Sequence, residues 1–371
     1  MNIGLVVHYY DRAEGTGGYV VELASRLARE HQVTIYAAGV RTPPPEGARV
    51  VMVPALRGRA YATILTFPYA FAAVRRRHDV VHAQGWVTSR ADVVTSHIVL
   101  AAWREAAGAA GIQPPAGERL FGGWVERRER ELVGRRARRV IVPSRRAAAD
   151  VERCYGRANG VHVIHHGFPG PTTLPSREDA RTRLGIPAGA FVALYAGDAR
   201  KGADAAMKAV AQASGVHLLV ASHSQRGPYL ARARALGLAE RLHWPGALAD
   251  IRTGFAAADV LLHPTIYDTF ALVVAEAMAW GIPVVVSRDA GIADLIEHDR
   301  SGILLAPGGG DLGPALVRLR DDAALRRRLA DGGRAVALGR SWDRVVEETV
   351  VVYETALAIR AGDGRRETRD A

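Results

Sequence analysis

The chain of 371 residues contains one cysteine, two lysines and no long apolar run. The single thiol, Cys154, excludes an intramolecular disulfide and cannot supply a thiolate cluster for a structural metal. No stretch approaches the roughly 18 to 20 consecutive apolar residues that a membrane-spanning helix needs. The opening residues MNIGLVVHYY lack a basic stretch followed by an apolar core and a small-residue cleavage site, so they read as a first strand and not as a secretory signal. Together these absences lead us to expect a cytoplasmic protein. No Asp-x-Asp pair occurs, which removes the usual acidic metal motif, and no metal or cofactor is expected. Lysine is scarce where arginine is abundant: of 49 basic residues only Lys201 and Lys208 are lysines.

What is present is ordinary for a packed domain, with 49% hydrophobic and 23% charged residues. The length exceeds what one core usually supports, so two domains are expected. The formal charge of +11 is unevenly spread, because residues 57–146 alone hold 17 basic and seven acidic side chains. Such a stretch would suit an anionic partner, either a phosphorylated acceptor or the anionic inner face of the cytoplasmic membrane. Within it ERLFGGWVERRERELVGRRARR (118–139) interleaves Leu120, Trp124 and Leu132 with arginines, a pattern that a solvated helix would show equally. Nucleic acid is not expected, since no recognition module accompanies the charge.

Along the first half, short apolar runs alternate with helical spacing. Strands are predicted at Asn2–His8, Val33–Ala37, Val50–Val53, Val80–Ala83, Val93–Ser96, Val140–Val142 and Val161–His165. Helices are predicted at Tyr19–Glu30, Tyr61–Arg77, Arg119–Arg136 and Arg145–Cys154. Periodicity fails at residues 167–189, where four prolines fall, and then the alternation restarts at Phe191. This implies an α/β chain of two doubly wound parallel sheets. The expected division is a first domain over 1–170, a linker over 171–190 and a second domain over 191–341. A helix over 342–360 would cross back to the first domain, and a flexible tail would follow over 361–371.

Residues 263–296, HPTIYDTFALVVAEAMAWGIPVVVSRDAGIADLI, read as strand, loop, helix and strand. Asp268 lies in the loop and Glu276 about two turns into the helix, on the order of 12 Å away. That is too far for a carboxylate pair acting on one glycosidic bond, which needs roughly 5 to 9.5 Å. Between them sits a helix N-terminus, a natural phosphate site near Phe270, Ala271 and Leu272. A nucleotide diphosphate sugar would fit this arrangement. A capping aspartate and a solvated glutamate would also account for it.

Three further motifs stand at expected strand ends. YAGDARKGAD (195–204) places Arg200 and Lys201 there, although a lysine in that position is often merely solvated. EGTGGY (14–19) brings Gly17 and Gly18 together, which either admits a phosphate or sugar close to the backbone or makes a tight turn. Gly-x-Gly-x-x-Gly is not met there and the following strand, VTIYAAG, carries no acid for a ribose, so a nicotinamide enzyme is disfavoured. His97 directly follows a strand, where it serves as a ligand group or as a structural hydrogen bonder.

The 263–296 segment resembles the second-domain signature of the retaining GT-B glycosyltransferases of family 4. There a glutamate, Pro-Phe-Gly and a second glutamate eight residues on precede Ala-Met-Ala and Gly-x-Pro-Val-Val. The matching residues are Asp268, Thr269-Phe270-Ala271, Glu276, Ala277-Met278-Ala279 and Gly281-Ile282-Pro283-Val284-Val285. Asp268 stands in place of glutamate, a change associated with a branch of lipopolysaccharide-core-like transferases, and Ala271 in place of glycine. YAGDARKGAD resembles the family's Gly-Arg…Lys-Gly loop with Asp198 replacing arginine, and VIVPS (140–144) and HHGF (165–168) also match. The resemblance spans nearly the whole chain and is weakest over 40–75 and 100–125, where acceptors are recognised.

It implies two Rossmann-like domains facing a deep cleft, and transfer of a hexose from a UDP- or GDP-sugar to an envelope glycan or glycolipid with retention of configuration. Donor-binding residues would be Gly17, Gly18, Arg200, Lys201, Phe270, Ala271, Leu272 and Glu276, with His97, Lys201 and Asp268 at the chemistry. Relatives of this kind use no enzyme nucleophile; the leaving diphosphate takes the acceptor proton. A glycosyltransferase for a small natural product such as an antibiotic aglycone, a nucleotide-sugar epimerase on the same fold and a non-catalytic nucleotide-sugar binder are the competing readings.

Overall fold

The computed structural model describes residues 1–58, 60–170, 173–310 and 312–367. The chain divides into two compact units, one formed by Met1–His166 with Trp342 onward, the other by Gly167–Ser341.

In the first unit the strands are β1 (Asn2–Val6), β2 (Tyr9–Tyr10), β3 (Gln32–Ala37), β4 (Gly39–Val40), β5 (Arg49–Met52), β6 (Val80–Gln84), β7 (Val93–Thr95), β8 (Arg139–Val142) and β9 (Val161–Val163). Seven form one parallel sheet in the order β5-β3-β1-β6-β7-β8-β9, while β2 and β4 make a separate small ladder. The chain works outward from β1 to β5 and then returns to β6 on the other side of β1. Ligands of open α/β sheets bind at such a reversal. Every residue of β6 is buried, as a strand covered on both faces requires. Its one ionisable member, His82, is satisfied at both nitrogens, by Tyr353 Oη and Thr95 Oγ1 at 2.7 Å each.

The helices of this unit are α1 (Gly15–Leu27), α2 (Ala60–Val74), α3 (Leu100–Ala109), α4 (Ala116–Glu131) and α5 (Arg145–Tyr155). Local chemistry sets their ends: Ser144 Oγ accepts from Ala147 N at 3.1 Å at the start of α5, and Gly156 closes it at φ 68°. Helix α3 went unpredicted, because its alanine-rich sequence carries no cap and little periodic contrast.

The second unit contains α6 (Arg177–Leu184), β10 (Phe191–Ala196), α7 (Ala203–Gln212), β11 (Val216–Ala221), α8 (Gly227–Ala235), β12 (Leu242–Gly246) and α9 (Ile251–Ala257). It continues through β13 (Val260–His263), α10 (Leu272–Ala279), β14 (Val284–Ser287), β15 (Ile303–Leu305), α11 (Leu312–Asp321) and α12 (Ala323–Leu338). Its parallel sheet has the order β12-β11-β10-β13-β14-β15, so the reversal falls between β10 and β13.

Two expectations need correction. The stretch taken as a linker over 171–190 does not stand apart: Pro171 and Thr172 lie outside the described residues, but Ala180 and Ile186 are buried in the second unit's core. Gly167–Gly170 also falls in that unit. The final helix, α13 (Trp342–Glu367), continues seven residues beyond its expected end, so Ala361–Glu367 is helical where a flexible tail was expected. It belongs to the first unit, where Tyr353 reaches His82 and Arg26 Nε meets Asp343 Oδ1 at 3.1 Å. Among the described residues no helix is long and apolar enough to cross a membrane.

Candidate active site

The reversal between β10 and β13 sets two loops side by side. After β10, Asp198 begins a 3₁₀ turn over Ala199–Lys201, its carboxylate accepting from Arg200 N at 3.0 Å. Gly202 follows, where a Cβ would stand 2.5 Å from Pro264 O. Only a glycine lets this loop lie against the one after β13, and the contact is sealed by Ile266 N donating to Lys201 O at 3.0 Å. Lys201 Nζ is thereby held 3.5 Å from Asp268 Oδ2.

Asp268 is fixed from several directions. Its Oδ1 accepts from Phe270 N at 3.1 Å, its own N donates to Asp289 O at 3.2 Å, and its O accepts from Gly291 N at 2.9 Å. His263 Nε2, at the end of β13, lies 3.6 Å from Oδ2. Burial alone would raise the carboxyl, but the Lys201 ammonium, His263 and the Phe270 N–H outweigh it and hold it well below the usual carboxylate range. His263 opens the segment read from the sequence, yet no role was assigned to it. Its place at a strand end, five residues before an acidic loop residue, was the available signal.

The other second-unit residues separate. Phe270 and Ala271 are buried, and Leu272 begins α10. Ala271 has φ 75° and ψ 71°, a left-handed conformation that glycine adopts freely and alanine only at a cost of roughly 1–2 kcal/mol. Glu276 is half-buried on α10, and among the described residues its carboxylate has no hydrogen-bond or ion-pair partner. Loss of hydration pushes its carboxyl up to about 7. Arg200 is paired within its own turn. Its guanidinium is gripped by Asp198, with Nη2 2.6 Å from Oδ2 and Nε about 3 Å from both oxygens. The aspartate that replaces the family's arginine thus restrains the neighbouring cation.

His97 and the paired glycines belong to the first unit. There a cavity of about 330 Å³ opens at the reversal between β1 and β6, bordered by His8, Gly17, Gln84 and His97. A Cβ on Gly17 would stand 2.4 Å from Asp11 O, and one on Gly18 3.0 Å from Arg12 O, so both let the first turn of α1 pack directly on backbone. Gly17 therefore has a packing reason as well as a place on the cavity wall; Gly18 has only the first. His97 Nε2 lies 2.8 Å from Gln84 Oε1, and its ring meets Tyr19 edge-on with centroids 4.8 Å apart. Burial pushes His97 down to about 3, so its imidazole is neutral near pH 7. It can exchange hydrogen bonds with a ligand and supplies no positive charge.

Both units match known families: residues 13–169 match Glycosyltransferase Family 4, and residues 190–322 match Glycosyl transferases group 1. The chain is 30% identical to a D-inositol 3-phosphate glycosyltransferase from Catenulispora acidiphila, over 95% of this chain and 93% of that protein.

This chain belongs to glycosyltransferase family 4. Its fold is that of solved GT-B enzymes. WaaG, a glycosyltransferase involved in lipopolysaccharide biosynthesis, superposes with a TM-score of 0.76 at 20% identity, over 94% of this chain and 98% of WaaG. Anabaena HepE, crystallised with UDP and glucose, gives 0.72 at 19% identity, over 96% of this chain and 100% of HepE. Seen as a glycosyltransferase, the family 4 chain keeps a lysine and an acid at the reversal of its second sheet and a second acid along α10. It departs from the family's pattern at Asp198, Asp268 and Ala271.

Proposed function

We propose that this glycosyltransferase moves a hexose-type sugar from UDP or GDP to a hydroxyl of an envelope glycan or related saccharide acceptor, in the cytoplasm and with retention of anomeric configuration. The observation that carries the reading is the Lys201–Asp268 pair at the β10/β13 reversal, beside the start of α10, with Glu276 further along that helix and without a partner among the described residues. In this reading Glu276 accepts from the ribose hydroxyls, Lys201 and the first N–H groups of α10 take the diphosphate, and Asp268 takes a sugar hydroxyl. Arg200, paired with Asp198, flanks Lys201 as a second cation for the diphosphate. The UDP in the HepE crystal structure supports a nucleotide-sugar donor, and the relatives' names support glycosyl transfer.

The bond from the anomeric carbon to the diphosphate oxygen breaks and one to the acceptor oxygen forms on the same face. The acceptor proton passes to the departing diphosphate. Lys201 and the helix start stabilise the negative charge that develops there, so the reaction needs no divalent metal. The test is incubation with UDP- and GDP-linked hexoses and saccharide acceptors, with the product anomer assigned by NMR. A glycoside of the donor's own anomeric configuration supports the proposal, and an inverted product or conversion of donor alone to an epimer contradicts it.

A further inference from the structure

Taking the proposed transfer as given, we infer that the first-unit cavity selects an acceptor bearing a cationic amine, an amino sugar or aminated cyclitol, over a phosphorylated one. The chain's basic character suggests the opposite, but the cavity wall does not share it. Among the described residues three carboxylates border it, Glu14, Glu118 and Glu129, against a single Lys or Arg, Arg104. Arg104 is already committed, its Nη1 lying 2.6 Å from Glu126 Oε2. A phosphate entering here would meet carboxylates and, among the described residues, find no uncommitted guanidinium.

The carboxylates are short of partners in a way that an ammonium would correct. Glu129 is 2% exposed, and both its hydrogen bonds, from Leu100 N at 2.9 Å and from Tyr155 Oη, go to Oε2. Among the described residues Oε1 has none, and burial without a cation pushes the carboxyl up to about 7. Glu118, on the same helix, has no hydrogen-bond or ion-pair partner among the described residues. Glu14 is held only loosely, 3.5 Å from an Arg41 that also reaches Asp11 at 3.2 Å. The histidines add no cation, because burial pushes His8 down to about 4 and His97 to about 3.

Gln84 supplies an independent sign that a ligand belongs here. It is 3% exposed on the cavity wall, and its amide Nε2 has no acceptor among the described residues. An unpaired buried donor is costly unless a ligand oxygen receives it. Tyr9, Tyr61 and Trp86 line the same space with aromatic surface suited to the C–H faces of a sugar ring. The geometry matches a polyhydroxylated ring carrying an ammonium group.

The test is calorimetric binding of glucosamine, N-acetylglucosamine and glucosamine 6-phosphate at neutral pH to the protein preloaded with whichever of UDP or GDP binds. Glucosamine should bind about tenfold or more tightly than its N-acetyl form, the size of one charge-assisted hydrogen bond. Glu118→Gln should narrow that ratio, and the 6-phosphate should bind worst. Equal or tighter binding of the acetylated or phosphorylated sugar, or binding of none of the three, overturns the inference. Failure of both nucleotides to bind would instead strike the donor assignment.

Discussion

Lys201 Nζ stands 3.5 Å from Asp268 Oδ2, so the second unit holds its cation against the acid assigned to the sugar. The side chains remain 26% and 22% exposed, open enough for a ligand to reach both. A diphosphate would compete with Asp268 for the ammonium.

Replacing Lys201 with alanine should lower kcat by about 10²–10³, the usual size for removing one group that stabilises developing negative charge. Lys201→Arg should recover only a small part, because a planar guanidinium cannot take the place of a compact ammonium in a loop closed by Gly202 and Ile266. Steady-state rates within about twofold of wild type for the alanine variant would contradict the role.

Glu276 makes a pH-dependent prediction. Its carboxyl is raised from 4.5 to about 7 in the folded protein, so the fold holds a proton that the unfolded chain has lost across that window. The associated stability is fully present below about pH 4.5 and is lost as pH rises through 7. Glu276→Gln should therefore match wild-type stability near pH 5 and exceed it near pH 8 by about 1–2 kcal/mol, measured by denaturant melts. Nucleotide affinity of the wild type should rise over about pH 6 to 8 as the carboxylate forms, and the variant should lose that dependence.

Ala271 occupies a left-handed conformation at the start of α10. Glycine loses more chain entropy on folding but avoids the Cβ clash, so Ala271→Gly should stabilise the second unit by about 0.5–1 kcal/mol. A thermal melt showing a loss of that size would mean that the methyl's packing, in a residue 5% exposed, outweighs the strain.

Asp268→Glu keeps the charge and lengthens the arm by one methylene, inside a frame set by Lys201, His263 and the Phe270 N–H. The ratio of kcat/KM values between two nucleotide hexoses should change by about tenfold. An equal fall for every donor would show that the residue does not read the sugar.

Much of the architecture was legible because buried parallel strands are nearly all apolar. Runs such as VVHAQ and VLLH announce themselves, and the intervening 3.6-residue spacing marks the helices. The strand, loop and helix of the 263–296 segment were legible for the same reason, since the loop, helix and Gly281 stop are local signals. Side-chain commitments were not legible. Nothing in DARK says that Asp198 would seize Arg200, because that depends on rotamers in a single turn. The acidic cavity was hidden too, since counting charges over 57–146 cannot tell that Glu118 and Glu129 line a cavity while most of the arginines do not. Helix α3 was missed because an alanine-rich segment has propensity without a periodic face.

Calorimetric titration of UDP and GDP into the wild type and Glu276→Gln at about pH 8 addresses the assignment of the second unit as the nucleotide-sugar site most directly. One nucleotide should bind the wild type saturably with one site, and the variant should bind it about tenfold or more weakly. Binding of neither nucleotide, or identical affinity in the two proteins, would contradict it.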